Sequence, residues 1–528
     1  MGSSADTASR INAADMRLAA QRRDTKLMLW GIVALGAVLR LRALGAKSLW
    51  LDEIASVAIA RTPSSWFWHW LWTQEGNMAL YYVMLRPWLE IHLGEATVRL
   101  LSVLPGIASI PVMYLLGKRL FDRSVGLLVA LFLALNTCSV VYSQEARGYS
   151  WLLLGVVVST YLFARLIERP TYAMASAYAL AAGATFYFHY FGLLVPLAHA
   201  VSLLALPKER RPWKQLFVAG AIVALLATPV LWVIHIQPIR HLDWVPKPSL
   251  LELYHLGVFL AAESGKGVVP ALLVVELFLL VVFFRKMIGV WKNQGIKPQN
   301  RIGDLDAGQK AGSSAKSSIQ SVASERDKTL VDRDVWPYVL VASCLLTPIV
   351  FSLLVSLVRP VFFHRFLIIC LPAWLLGCAA GACALRHRPI RFWAIAGVCA
   401  LSLVSTMMSY SRPREDWRGV VNFLIDNARA QDVVLYYQPV GNWAAENYRD
   451  WLPGGSANRP LAVGVTAQSN DWRGKIAGAR RVWLVEYPEN PSDDTARSLE
   501  AELHSRYTAV ATQEFRAITV TEFVAKSN

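Results

Sequence analysis

Apolar runs of roughly 20 residues, the length needed to cross a bilayer, recur along this chain between short polar stretches. The first covers about 26–44, and others cover about 98–117, 124–141, 150–167, 336–358 and 392–409. A hairpin of two further runs has His189-Tyr190-Phe191 at its tip, and single runs end near Trp232, at Arg285-Lys286 and at Arg386-His387-Arg388. The pattern predicts a polytopic α-helical membrane protein with about 11 transmembrane helices. Between 50 and 93 the chain is amphipathic but never apolar for long enough to cross. Trp66, Trp68, Trp70 and Trp72 crowd this outer loop (45–97), which reads as two short interfacial helices with the tryptophans facing lipid.

Two polar stretches break the pattern. Residues 295–330, rich in Ser, Ala, Gly, Lys and Asp, have no periodicity and read as a flexible cytoplasmic linker. From 411 to 528 the composition is that of a small soluble domain. Its runs 432–437 and 481–485 read as buried strands, 494–503 as a helix and 518–523 as a last strand, so a small α/β domain with a partly parallel sheet is expected.

Composition changes this picture little. With 528 residues, 55% of them hydrophobic, and a mean hydropathy of +0.37, the chain is too apolar for a soluble enzyme. The net charge of +16 is concentrated in short loops between spans, where Lys and Arg mark the cytoplasmic face, so nucleic acid is not an expected partner. The six cysteines lie in or beside apolar segments and indicate neither a disulfide framework nor a zinc site. Residues 1–25 form a basic cytoplasmic tail without the apolar core of a signal peptide, so the first span is expected to be retained. Met1-Gly2 opens like a myristoylation signal, but Asp6 stands where Ser or Thr is wanted. With Arg22 and Arg23 inside, an odd number of spans places 411–528 outside, and the membrane domain is 26–410.

Polar residues at the span ends sort by side. The inner ends hold mainly Lys and Arg, which topology explains; the outer ends hold Asp52, Glu53, Glu145, Arg147, Tyr149, His189, His364 and Arg365. Ionisable groups at membrane depth are costly and mark sites. Arg147 and Arg365 stand at the starts of the fourth and tenth spans, where free N–H groups and guanidinium forks together suit a phosphate or pyrophosphate headgroup. Asp52 or Glu145 can deprotonate an acceptor hydroxyl, and a phosphate leaving group stabilised by arginine needs no general acid. Taken singly, each residue has a plainer use. Asp52 suits a helix cap and Glu53 a helix dipole. Arg147 can pair with Glu145 or snorkel, and His189 can be a satisfied interface histidine. Clustering on one side carries the functional reading.

The ordered set Leu49-Trp50-Leu51-Asp52-Glu53, Leu80-Tyr81-Tyr82, Arg99-Leu100-Leu101-Ser102-Val103 and Tyr142-Ser143-Gln144-Glu145-Ala146-Arg147-Gly148-Tyr149 resembles the bacterial dolichyl-phosphate-mannose protein mannosyltransferase-like family. This is the glycosyltransferase family 39 type of the GT-C superfamily, which includes the lipid A aminoarabinose transferase. The resemblance covers about 26–206 well and extends more loosely to 410. It implies a polyprenyl-phosphate-linked sugar as donor, an outward-facing site in the inner (plasma) membrane and inversion at the anomeric carbon. By matching, Asp52 is the catalytic Asp, expected to act as base, with Glu53 beside it, and Glu145 is the second acidic position. Arg147, Tyr149 and Tyr82 fall in the matched motifs, and His189, His364 and Arg365 fall where donor-phosphate contacts are common. Asn77-Met78-Ala79 replaces the His-Pro-Pro of many relatives. No cofactor is therefore assigned, and a divalent metal is left open. The expected activity is transfer of the sugar to a cell-envelope glycan, lipid or protein. The alternative is a polyprenyl-phosphate or lipid-linked sugar transporter or binding protein without transferase activity.

Overall fold

A backbone that leaves water must satisfy its own N–H and C=O groups, and the apolar runs do so as helices. The computed structural model describes residues 2–236, 245–263, 267–295, 334–437, 440–452, 460–465, 472–487 and 494–526. Residues 296–330 of the expected linker lie outside the described residues. In chain order the helices are α1 (Gly2–Leu41), α2 (Leu51–Arg61), α3 (Ser64–Thr73), α4 (Ala79–Trp88), α5 (Glu95–Leu120), α6 (Arg123–Leu135), α7 (Thr137–Ser143), α8 (Tyr149–Glu168), α9 (Tyr172–Phe188) and α10 (Leu194–Ser202). They continue as α11 (Trp213–Ile236), α12 (Leu250–Ala262), α13 (Val269–Gly295), α14 (Trp336–Ser356), α15 (Leu371–Ala384) and α16 (Arg388–Tyr410). Every expected span is helical. By length and composition, six helices among the described residues are long and apolar enough to cross a membrane, or seven if the bent pair α6 and α7 is one span. The remaining expected spans, α1, α9, α10 and α13, are shorter or carry charges such as Arg40 and Glu276.

The chain divides into two compact units, 1–40 with 104–143 and 148–409, and 41–103 with 144–147 and 410–528. In the first, the third expected span is not straight: α6 and α7 meet at 57°. The break leaves carbonyls without helical partners, and the fully buried Arg40 takes them. Its guanidinium donates to Ala134 O (3.2 Å), Leu133 O (3.1 Å), Ser139 Oγ (2.8 Å) and Ser143 Oγ (3.2 Å). Asn136, at the corner, caps α7 through Ser139 N (2.9 Å) and donates to the last carbonyls of α12, Leu260 O and Ala261 O (both 3.0 Å). Further on, α13 and α15 pack closely because Gly381 lets the Leu279 carbonyl approach where a Cβ would stand. Trp374 Nε1 then donates to Glu276 Oε2 at 2.7 Å.

The second unit gathers the outer loop and the C-terminal residues. Its helices α17 (Trp417–Asn427), α18 (Val440–Trp451), α19 (Trp472–Ile476) and α20 (Asp494–Arg506) accompany strands β1 (Val433–Tyr437), β2 (Leu461–Val465), β3 (Arg481–Glu486), β4 (Tyr507–Phe515) and β5 (Ile518–Ala525). The sheet order is β2-β1-β3-β5-β4. β1 runs parallel to β2 and β3, with α18 and α19 as the crossovers, and β5 runs antiparallel to β3 and β4. Val433, Leu435, Val482, Leu484, Leu499, Leu503 and Phe523 form its core. β2 and β4, which sequence did not suggest, have mostly exposed or half-exposed positions. The outer loop holds three helices, α2, α3 and α4, where two were expected. The α2 helix packs against α18.

Candidate active site

The loop before α2 is fixed by polar contacts from the C-terminal residues. Leu49 N donates to Tyr448 Oη (2.6 Å), Arg418 N donates to Ser48 Oγ (3.0 Å), and Leu51 N donates to Glu415 Oε2 (3.1 Å). Glu415 also accepts from Trp417 Nε1 (2.7 Å) and Tyr487 Oη (2.9 Å). Burial pushes its carboxyl above the usual range, and these donors only partly offset that. The start of α2 is thereby held at a set angle.

Glu53 occupies the centre of this arrangement with no exposed side-chain surface. Arg99, from the first turn and a half of α5, grips both its oxygens, Nε to Oε1 at 2.8 Å and Nη2 to Oε2 at 2.7 Å. Arg99 spends its other donors on Leu44 O (2.8 Å), Lys47 O (2.8 Å) and Ser48 O (2.9 Å). Glu53 also accepts from Ala146 N (2.9 Å) and from Trp50 N (3.2 Å). Burial alone would raise this carboxyl, but the Arg99 guanidinium more than compensates, so it lies below the usual glutamate value.

Asp52 precedes Glu53 and points elsewhere, since successive helical residues differ by about 100°. Its side chain is 27% exposed, against 8% for Glu145 and none for Glu53. Arg147 Nη2 lies 3.9 Å from Asp52 Oδ2, the edge of ion-pair range. Arg147 Nη1 is held by Tyr82 Oη (3.3 Å) and Ser56 Oγ (3.5 Å), both on buried side chains. Glu145 Oε1 accepts from Arg414 Nη2 at 2.9 Å, and Arg414 Nη1 lies 3.5 Å from Glu53 Oε2 with its guanidinium 6.0 Å from the Trp50 ring. Three carboxylates thus alternate with three guanidiniums, and the most exposed carboxylate has the longest of these pairings.

One plainer expectation changes. Asp52 is not the cap of α2: Trp50 holds that position and Glu53 takes its amide hydrogen. Glu145 Oε1 accepts from Arg414, and Arg147 reaches Asp52 and the hydroxyls of Tyr82 and Ser56. Arg99 entered the sequence reading only within a motif, and Arg414 not at all. The charged run Arg412-Pro413-Arg414-Glu415-Asp416 after the last span was the signal available for the latter.

Asp52, Glu53, Tyr82, Glu145 and Arg147 all belong to the second unit, and Tyr149, His189, His364 and Arg365 to the first. Within the first, Tyr149 lies 5.8 Å from the His189 ring, and His189 lies 5.2 Å from Phe366. His189 Nδ1 accepts from Phe191 N (3.2 Å), which caps the turn after α9. His364 and Arg365 lie on a 3₁₀ turn, His364–Cys370, with the His364 ring 5.2 Å from Phe259 of α12. Among the described residues no three His, Cys, Asp or Glu side chains come together as a metal site. Asp52, Glu53 and Glu145 are each engaged by an arginine.

Against known proteins, residues 80–233 match the family model for dolichyl-phosphate-mannose-protein mannosyltransferases. That stretch holds Tyr82, Arg99, Glu145, Arg147 and His189 and begins after Asp52. The fold is similar to apo ArnT from Cupriavidus metallidurans, with a TM-score of 0.55 at 13% identity, covering 93% of this chain and 97% of that one. ArnT bound to undecaprenyl phosphate aligns over the same shares with a TM-score of 0.44 and 13% identity. The oligosaccharyltransferase AglB from Archaeoglobus fulgidus aligns with a TM-score of 0.48 at 11% identity, over 88% of this chain and 69% of that one. No curated protein matched the sequence.

Proposed function

Taking the chain as a multi-pass GT-C-type protein similar to the mannosyltransferase family, we propose that it transfers a sugar from a polyprenyl-phosphate-linked donor to a cell-envelope acceptor. The work is done on the outer face of a bacterial inner membrane, with the basic loops and the N-terminus in the cytoplasm and 411–528 outside. One observation carries the reading. Of Asp52, Glu53 and Glu145, Asp52 is the one with substantial exposure, and it stands beside Arg147, which also reaches the Tyr82 and Ser56 hydroxyls.

In the proposed step Asp52 takes the proton of an acceptor hydroxyl as its oxygen attacks the anomeric carbon of the donor. The bond from that carbon to the phosphate oxygen breaks on the opposite face, so the configuration inverts. The polyprenyl phosphate departs as an anion, and Arg147, 3.9 Å from Asp52, receives it. Glu53 and Glu145 act as positioning residues, because their oxygens hold Arg99 and Arg414. Tyr149, His189, His364 and Arg365 remain candidates for donor contacts and are tested by substitution in their own right.

Mass spectrometry of envelope glycans, wild type against Asp52→Asn at matched protein levels, tests the proposal. A positioned base contributes about 10²–10⁴-fold, so the variant is expected to lose one defined sugar mass from the acceptor. Full transfer by Asp52→Asn removes Asp52 from the mechanism. Labelled lipid crossing liposomes containing the purified protein, with no acceptor modified, replaces transfer with transport.

A further inference from the structure

The α3 helix carries four of the chain's tryptophans, but they are not alike. Trp66, Trp68 and Trp72 are exposed, whereas Trp70 turns inward and meets Trp443 of α18 edge to face, ring centroids 6.2 Å apart. The expectation that all four face lipid therefore fails for Trp70, which stands one turn beyond the buried Phe67 and meets Trp443 of the second unit's own α18. Beside the two rings is a groove of about 580 Å³, within the ~300–1,000 Å³ usual for small-ligand sites. Its walls are α2, α3 and α18.

The polar lining is mixed in sign. Arg61 and Arg449 face Glu446 and Asp450, and the buried Asn447 lies between them in the chain. Arg61 is ion-paired with Asp450 and donates to Asn447 Oδ1 at 3.4 Å, and Glu446 accepts from Asn442 Nδ2 at 3.2 Å. Among the described residues the half-buried Arg449 has neither an ion pair nor a hydrogen bond, although it lines the groove.

We infer that this groove binds a saccharide, and that it seats the glycan part of the acceptor. The second half of the inference rests on the transferase reading above; the first does not. Arg449 is one unpaired cation among the described residues, but the carboxylates of Glu446 and Asp450 share the lining and disfavour a simple anion. Helical walls offer no open strand edge for an extended peptide. What remains is an indole pair with neighbouring carboxylate, amide and guanidinium groups. A pyranose presents a flat C–H face, weakly positive, that suits the negative face of an indole. Its ring of hydroxyls suits donors and acceptors of both kinds. The placement also fits the chemistry. Groove residues Ala58 to Arg61 lie six to nine residues beyond Asp52 on the same helix, roughly 9–14 Å at 1.5 Å per residue. A short oligosaccharide spans that distance, so an acceptor glycan seated here can bring its terminal hydroxyl to Asp52.

The test uses the full-length protein in nanodiscs and oligosaccharides released from the host envelope by mild acid, with an unglycosylated peptide as control. Binding is read by isothermal titration and saturation-transfer NMR for wild type, Trp443→Ala, Trp443→Phe and Arg449→Gln. Trp443→Ala and Arg449→Gln are expected to weaken saccharide binding at least 10-fold, and Trp443→Phe to restore most of it. In transfer assays the two weak binders are expected to raise the acceptor KM with kcat and donor KM little changed. Arg449→Gln keeps the test valid if Trp443→Ala does not fold. Saccharide binding that depends on Trp443 in a protein without transferase activity keeps the site and removes the transferase reading. Active transfer with binding and acceptor KM unaffected by the substitutions removes the site and keeps that reading. Capture of the peptide in place of the saccharide also overturns the inference.

Discussion

Glutamate 53 and arginine 99 are both shielded from water, so removing one leaves the other as a buried charge with no solvent to screen it. Glu53→Gln is therefore expected to cost about 3–5 kcal/mol, seen as a lower melting temperature in detergent. Arg99→Met should cost a similar amount, and a variant that melts like wild type would show the pair to be energetically idle. The pH dependence follows from the direction of the Glu53 shift. Its folded-state carboxyl titrates below the unfolded value of about 4.3. Its contribution is then complete above that pH and lost as pH falls through the lower, folded-state value. Melting followed from pH 7 to pH 3 should show an acid limb in wild type that is shallower in Glu53→Gln.

At the scale of elements, the bend between α6 and α7 shows how a polar side chain inside an apolar run is accommodated. Asn136 and Ser139 interrupt 124–141, the helix breaks there, and Arg40 from another helix satisfies the carbonyls that the break releases. Arg40→Met keeps most of the apolar volume but strands those acceptors, at about 1–3 kcal/mol for each one left unsatisfied. Hydrogen exchange across 133–143 is expected to accelerate in that variant, with the rest of the helices little changed. Unchanged exchange would mean that water or lipid can replace the guanidinium. Periodicity foretold each of these helices, yet the break was not legible. A single Asn in an apolar stretch is equally compatible with a straight helix bonded to a neighbour.

For the whole molecule, the C-terminal residues are not an appendage to the outer loop; both belong to one unit. Tyr448, Arg418 and Glu415 hold residues 48–51, and Arg414 holds Glu145. Deleting 412–528 is thus expected to expose 45–97 to limited proteolysis and to abolish transfer altogether. It cannot report on acceptor choice, for which point substitutions in the Trp70–Trp443 groove are the better instrument. A truncated protein that resists proteolysis and still transfers sugar would show that the outer loop folds without its C-terminal partners.

Sequence by itself determined what is local. Apolar runs placed the helices, and the buried runs of β1 and of the centre of β3 announced themselves as strands. Glu145 and Arg147 stood out as ionisable groups at the ends of spans. Tertiary structure decided the pairings. Glu53 meets Arg99 across 46 residues, Arg414 meets Glu145 across 269, and Ser48 meets Tyr448 across 400. A chain with 53 lysines and arginines offers each carboxylate many partners of the same charge, and spacing along the sequence does not rank them. Only packing does, by burying one pair and leaving another at the surface. In that way two adjacent acids, Asp52 and Glu53, receive different environments, one beside solvent and the other inside the scaffold that positions it.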